Sequence, residues 1–288
     1  MVSVLVTGTN SGIGLATTLL LGRAGHRVYA TVRDPSRASQ LAEAVDKERL
    51  PVSMLTMDVD LDESVKQTID QIYASGRDID TLVNNAGIER LGLVEDLPIE
   101  AFRAAMETNY FGALRCIKAV LPRMRQNRNG CIVNLASVAG RIAVSPFEPY
   151  NASKFALEAL SEVLAQEVKT FNIRVAIVEP GMIDTPMAER IATPAGASYY
   201  RQRARIAGLF RAALPNANAP AVVAEKIREI IESGTWQLRH LAGADAQAFL
   251  DWRAARNDEA WIDLFAAEDE VWYDSIRSDF GIDTRPPT

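Results

Sequence analysis

Thr7-Gly8-Thr9-Asn10-Ser11-Gly12-Ile13-Gly14 decides how this chain is read. The apolar run at 2–7 is short and stopped by glycine, so it reads as a buried strand. Beyond the glycines, Ile13, Ala16, Leu19 and Leu20 recur at helical spacing, which predicts a helix over 12–25. A strand-to-helix turn of this kind suits a pyrophosphate. Gly8 permits a tight turn, Gly12 lets backbone approach a phosphate, and Gly14 lets the helix lie close to the sheet. The helix start adds free N–H groups and the positive end of its dipole.

The same alternation continues downstream. Strands are expected at 27–32, 52–57, 81–84, 130–135 and 173–179, with helices at about 37–49, 61–75, 99–126 and 150–170. The long stretch 99–126 is expected to be interrupted near Pro122. Alternating strands and helices imply right-handed crossovers and helices on both faces. The fold class is therefore α/β, a doubly wound parallel sheet of about seven strands in a single domain.

Residues 180–220 lose this rhythm. Pro186, Pro194, Gly196, Gly208 and Pro215 suggest a functional loop or lid, with 180–217 as the substrate segment. A helix at 221–232 and a last strand at 236–241 follow. The tail from 244 holds Trp252, Trp261 and Trp272 with Phe249, Leu264 and Phe265, which reads as one or two amphipathic helices. We expect a catalytic body over 1–243 and an extension, 244–288, packed on it. The tail aromatics read first as core or subunit contact and second as pocket lining.

The chain has 288 residues, 48% of them hydrophobic, with a net charge of −6. That supports a substantial core and gives no basic footprint for nucleic acid. Cys116 and Cys131 show no CxxC spacing and read as buried free thiols of a reducing compartment. His26 and His240 are too isolated for a zinc site, so no metal is expected. No run reaches the roughly 18 apolar residues of a membrane span, and the N-terminus lacks a basic signal region. A cytoplasmic protein is expected.

A second patch carries chemistry. Ser137 stands upstream of Tyr150-Asn151-Ala152-Ser153-Lys154. Tyrosine and lysine four apart share a helix face. A phenol with an ordinary pKa near 10 is a poor acid–base at neutral pH. A neighbouring ammonium is expected to lower it toward the operating range.

The spacing Gly8-xxx-Gly12-x-Gly14, preceded by Thr7, resembles the short-chain dehydrogenase/reductase family. Asn84-Asn85-Ala86-Gly87, Asn109, Ser137, Tyr150, Lys154 and Pro180-Gly181-Met182-Ile183-Asp184-Thr185 extend the resemblance over about 3–185. It implies a Rossmann fold and hydride transfer between a nicotinamide cofactor and a ketone or secondary alcohol. Tyr150 would be the acid–base, Ser137 would orient the carbonyl oxygen, and Lys154 would also bind ribose. Asn109 would distort its helix and hold a water linking Lys154 to solvent. The positive nicotinamide would help lower the Tyr150 pKa. Cofactor contacts would come from Gly8, Asn10, Ser11, Gly12, Ile13, Gly14, Asn85, Ala86, Gly87, Pro180, Gly181, Ile183 and Thr185. Asp58-Val59 would touch adenine, although Asp58, Asp60 or Asp62 could instead cap the helix at 61–75. Family members are usually dimers or tetramers, so a homo-oligomer is expected, built on the faces at 99–126 and 150–170.

The second strand ends at Val32, where NAD enzymes place a carboxylate. Arg33 follows, with Arg37 a turn later and Ser11 in the glycine turn. A guanidinium suits a 2′-phosphate, so NADP(H) is expected. Asp34 would favour NAD if the strand ran longer. For the substrate, Ile191, Tyr199, Tyr200, Ile206, Leu209 and Phe210 suggest a bulky apolar ketone or alcohol, with 141–149 as the opposite wall. Arg201, Arg203 and Arg205 read as a solvated helix face or as contacts for an acidic substrate. A regulatory protein that binds NADP(H) without turnover is the alternative of a different class.

Overall fold

The computed structural model describes residues 1–193 and 199–285. Seven strands form one parallel sheet in the order β3-β2-β1-β4-β5-β6-β7. They are β1 (Ser3–Thr7), β2 (Arg27–Val32), β3 (Val52–Thr56), β4 (Thr81–Asn84), β5 (Gly130–Leu135), β6 (Ile173–Pro180) and β7 (Arg239–Ala242). Helix α1 (Gly12–Arg23) leaves the glycine turn, and α2 (Ser39–Glu48) and α3 (Asp62–Ala74) complete the first crossovers.

Side chains alternate across each strand, so both faces of the sheet are buried. Leu5, Leu82 and Ile132 point to one face, against Ile69 of α3 and Ile117 of α5 (Gly112–Asn127). Val4, Val6, Val83 and Val133 point to the other, against Leu21 of α1 and Ile227 of α9 (Pro220–Ser233). Strand order reverses between β1 and β4, so a crevice opens at their C-terminal ends.

The break in the long helical stretch falls earlier than Pro122. Helix α4 (Ile99–Met106) passes into a π-helical turn at Glu107–Phe111 before α5 begins. Pro122 lies inside α5. The wider turn carries Asn109, whose side chain is bonded outside its own helix; this is a common setting for a π-turn. Helix α6 (Glu148–Val168) begins two residues before Tyr150, with Pro149 in its first turn.

Residues 180–220 are more regular than their prolines suggest. Helix α7 (Pro186–Ala192) starts on Thr185, whose hydroxyl accepts the Ala188 N–H at 3.3 Å. Helix α8 (Arg201–Ala213) buries Ile206 and Leu209. Pro194 and Gly196 lie outside the described residues. Pro186 and Pro220 sit at the starts of α7 and α9, where a missing N–H costs nothing.

The tail forms three helices, α10 (Ala246–Ala254), α11 (Asp258–Ala266) and α12 (Asp269–Phe280). Asn257 caps α11, its side chain accepting the Ala260 N–H at 2.9 Å, which separates the two helices a single pattern could have joined. Trp252, Trp261 and Trp272 cluster with Ile206 and Leu209 of α8. Arg205 belongs to neither reading given for the loop arginines. It is 2% exposed, its Nε bonds Asp269 at 2.8 Å, its other nitrogens bond the carbonyls of Phe265 and Ala267, and its guanidinium lies 5.6 Å from the Trp272 ring centre. Arg201 pairs with Glu268. Arg201 and Arg205 of α8 thus meet the tail. Among the described residues no helix is long and apolar enough to cross a membrane.

Candidate active site

The crevice at the strand ends is a cavity of about 400 Å³. Its floor is the glycine turn. Gly8 and Gly12 have φ of +69° and +55°, which favours glycine at both positions. Gly14 is required by space: a Cβ there would stand 2.2 Å from the Gly8 carbonyl oxygen and 2.4 Å from Asn85 Nδ2. Asn85 Nδ2 donates to the carbonyls of Thr7 (2.8 Å) and Gly8 (2.9 Å). Thr7 Oγ1 accepts the N–H groups of Asn85 (3.0 Å) and Ala86 (2.9 Å). The β4 motif therefore clamps the turn. Ser11, at the start of α1, caps none of the helix amides with its side chain. Ser11, Gly12, Ile13 and Gly14 line the cavity, and the free N–H groups of a helix start fit a bound anion.

Arg33 lines the cavity beyond the end of β2. Asp34 turns away: its carboxylate accepts the Ser36 N–H at 3.0 Å and the Ser36 hydroxyl at 2.7 Å. Asp58 and Val59 line the cavity. None of the three aspartates caps α3, whose first flanking residue is Leu61. Asp58 instead accepts the Asp60 N–H at 3.1 Å, Asp60 accepts the Thr108 hydroxyl at 3.1 Å, and Asp62 pairs with Arg115. The far wall includes Pro180, Gly181, Ile183 and Thr185.

Ser137, Tyr150 and Lys154 come together on one side of the cavity. Ser137 closes the short turn after β5, its Oγ accepting the Ala139 N–H at 3.1 Å. Lys154 Nζ donates to the Leu135 carbonyl at 2.6 Å and lies 5.5 Å from the Tyr150 ring centre. Asn109 lies behind them, outside the lining. Its Oδ1 accepts the Ile88 N–H at 2.8 Å, and its Nδ2 donates to the Ile88 carbonyl and to Ser153 Oγ.

Burial pushes the Tyr150 phenol up to about 12; Ser137 opposes this and the Glu89 carboxylate adds to it. Burial pushes Lys154 down to about 8. The expected lowering of the phenol is therefore not met here, because burial outweighs the Ser137 hydrogen bond.

The apolar end of the cavity holds Val144, Phe147, Ile191, Ile206, Leu209 and Phe210, and also Phe249 and Trp252 from the tail. Two tail aromatics thus line the cavity, while Trp261 and Trp272 pack beside them. Tyr199 is fully exposed, and Tyr200 bonds Glu95 at 2.5 Å. At the rim, Arg190 of α7 holds Glu89 through two bonds, 2.7 and 3.1 Å. Asp245 accepts the Met182 N–H and the Asn218 amide, both at 2.7 Å, which ties the tail to the loop after β6. Sequence reading missed Glu89, Arg190 and Asp245, since none belongs to a spaced pattern.

The fold and these residues define a short-chain dehydrogenase. The short chain dehydrogenase family matches residues 3–195, and the chain belongs to it. It is 41% identical over 182 residues to a 3-ketodihydrosphingosine reductase of Bacteroides thetaiotaomicron, covering 63% of this chain and 64% of that one. It is 39% identical over 216 residues to retinol dehydrogenase 8 of Bos taurus, covering 69% and 68%. A short-chain dehydrogenase structure from Streptomyces avermitilis superposes with a TM-score of 0.76 at 32% identity, covering 91% of this chain and 94% of that one.

Proposed function

We propose that this chain is an NADP(H)-dependent oxidoreductase interconverting a ketone and a secondary alcohol, on a bulky apolar substrate. One observation carries the reading: Ser137, Tyr150 and Lys154 share a cavity with the glycine turn at one end and an apolar funnel at the other. The names of the reductase and dehydrogenase relatives agree with it.

When bound, the nicotinamide supplies or accepts the hydride, and its oxidised ring brings a positive charge to the site. In reduction, Ser137 orients the substrate oxygen and Tyr150 gives its proton to the forming alkoxide. Lys154 holds the ribose hydroxyls, and its charge favours the phenolate. Charge of this kind is needed, since burial alone holds the phenol near 12. Asn109 fixes the wide turn behind Lys154 through its bonds to Ile88 and Ser153. Arg33 receives the 2′-phosphate; Asp34, engaged by Ser36, leaves the ribose to it.

In this reading residues 1–243 are the catalytic body, 180–217 cover the substrate, and the tail from 244 closes the apolar end. Exposed Phe111, Phe155 and Val163 suit self-association as a dimer or tetramer. The test is Tyr150→Phe, which keeps the ring and removes the proton. Turnover of ketones with NADPH should fall by about 10²–10⁴-fold with NADPH binding nearly unchanged. Near-normal turnover refutes the mechanism.

A further inference from the structure

The loop that leaves β6 forms the far wall of the cavity through Pro180, Gly181, Met182, Ile183 and Thr185. At its start the Pro180 carbonyl oxygen lies 3.5 Å from Ser137 Oγ. At its end the Thr185 methyl carbon stands 3.3 Å from where a Cβ on Gly12 would be. The placement of this loop therefore sets the spacing of the wall from both the serine and the glycine turn.

Two residues from later in the chain fix that placement. Asn218, just before α9, forms a short parallel bridge with Ile183, and its carbonyl accepts the Asp184 N–H at 2.9 Å. Asp245, at the start of the tail, completes the bracket. Its Oδ2 accepts the Met182 N–H at 2.7 Å, and its Oδ1 accepts the Asn218 side-chain amide at 2.7 Å. Asn218 Oδ1 in turn accepts the Ala244 N–H at 3.1 Å. Two glycines leave room for the carboxylate. A Cβ would stand 2.5 Å from Asp245 Oδ1 at Gly181 and 2.9 Å from it at Gly243. Two donors converge on this side chain, and an ionised carboxylate answers both because it offers two oxygens and no proton. An amide of the same shape would turn its own N–H groups against one of the donors.

We propose, resting on the cofactor reading given above, that Asp245 is a positioning residue: with Asn218 it holds the loop after β6 at the spacing from Ser137 and the glycine turn that the nicotinamide half of the cofactor requires. The tail thus acts at both ends of the cavity, since α10, which follows Asp245, carries Phe249 and Trp252 into the apolar end.

The test is calorimetric titration of the intact protein with NADPH and with 2′,5′-ADP, which keeps the 2′-phosphate end and lacks the nicotinamide. Asp245→Asn should weaken NADPH about tenfold and leave 2′,5′-ADP within about twofold. The double variant Asn218→Asp/Asp245→Asn makes donor and acceptor change places. It should bind NADPH about threefold or more tighter than Asp245→Asn alone. Recovery is partial, because the Asn218 amide also donates to the Met182 carbonyl at 3.3 Å. NADPH affinity equal to wild type in Asp245→Asn overturns the proposal. So does an equal loss for both probes, which would report only loosened packing, and so does a double variant no better than the single one. A wild-type protein that binds neither probe refutes the cofactor reading and the proposal with it, a result distinct from the other three.

Discussion

Replacing Gly14 by alanine adds one methyl group at the point where α1 meets the turn. Its Cβ would stand 2.2 Å from the Gly8 carbonyl oxygen and 2.4 Å from Asn85 Nδ2. That is about 1 Å short of ordinary contact, and the first obstacle is backbone, which cannot swing aside. Either α1 lifts from the sheet, or the Asn85 amide gives up its bonds to Thr7 and Gly8. Overpacking costs roughly 1–3 kcal/mol, and each lost bond about 0.5–1.5. A total near 3 kcal/mol lowers Tm by about 5 °C in a chain of this length. The helix amides proposed to hold the cofactor move with α1, so kcat/KM for NADPH should fall about a hundredfold. Thermal unfolding and initial rates against NADPH read both effects. Gly25→Ala is the control: its φ of +82° strains any other residue, yet a Cβ there meets nothing within 4 Å. It should cost only about 1–2 kcal/mol and spare cofactor affinity. A Gly14→Ala protein with wild-type Tm and wild-type NADPH kinetics would refute the close-approach argument.

Arg33→Ala should weaken NADPH binding by about 10–100-fold while NADH binding changes little, as titration of each dinucleotide would read; equal losses would place the 2′-phosphate elsewhere. Arg205→Met removes a buried guanidinium and leaves Asp269 and the carbonyls of Phe265 and Ala267 without their donor. Denaturant unfolding should show a loss of about 3 kcal/mol, and a loss below about 0.5 would mean that α8 does not depend on this anchor.

The order of elements was legible because each strand or helix is a local pattern with its own period. Residues 27–32 end at Val32 as read, and Arg33 follows into the cavity. Gly12 and Gly14, Ser137, and the pair Tyr150 and Lys154 were legible for a related reason. The phosphate turn and the acid–base pair proposed for them need particular residue types at fixed spacing. The residue pattern misplaced the break at Glu107–Phe111 to Pro122, because proline is a local signal, and only the family resemblance put a distortion at Asn109. The force that widens the turn comes from Asn109 bonding Ile88, 21 positions earlier, and Ser153, 44 positions later. Helix α7 was hidden under Pro186, a residue type that starts helices as well as ending them.

What the sequence determined, then, is whatever a few adjacent residues decide: the alternation, the glycine turn, and the tyrosine–lysine spacing on one helix face. Tertiary structure decided what depends on groups distant along the chain. It set Arg205 against Asp269 and Trp272, placed Phe249 and Trp252 beside Phe147 and Leu209, and brought Asp245 to Met182 and Asn218. It also moved the Tyr150 phenol up and the Lys154 ammonium down from their ordinary values. The cost of holding a charge follows from how much water the fold removes, and no local pattern of residues records that.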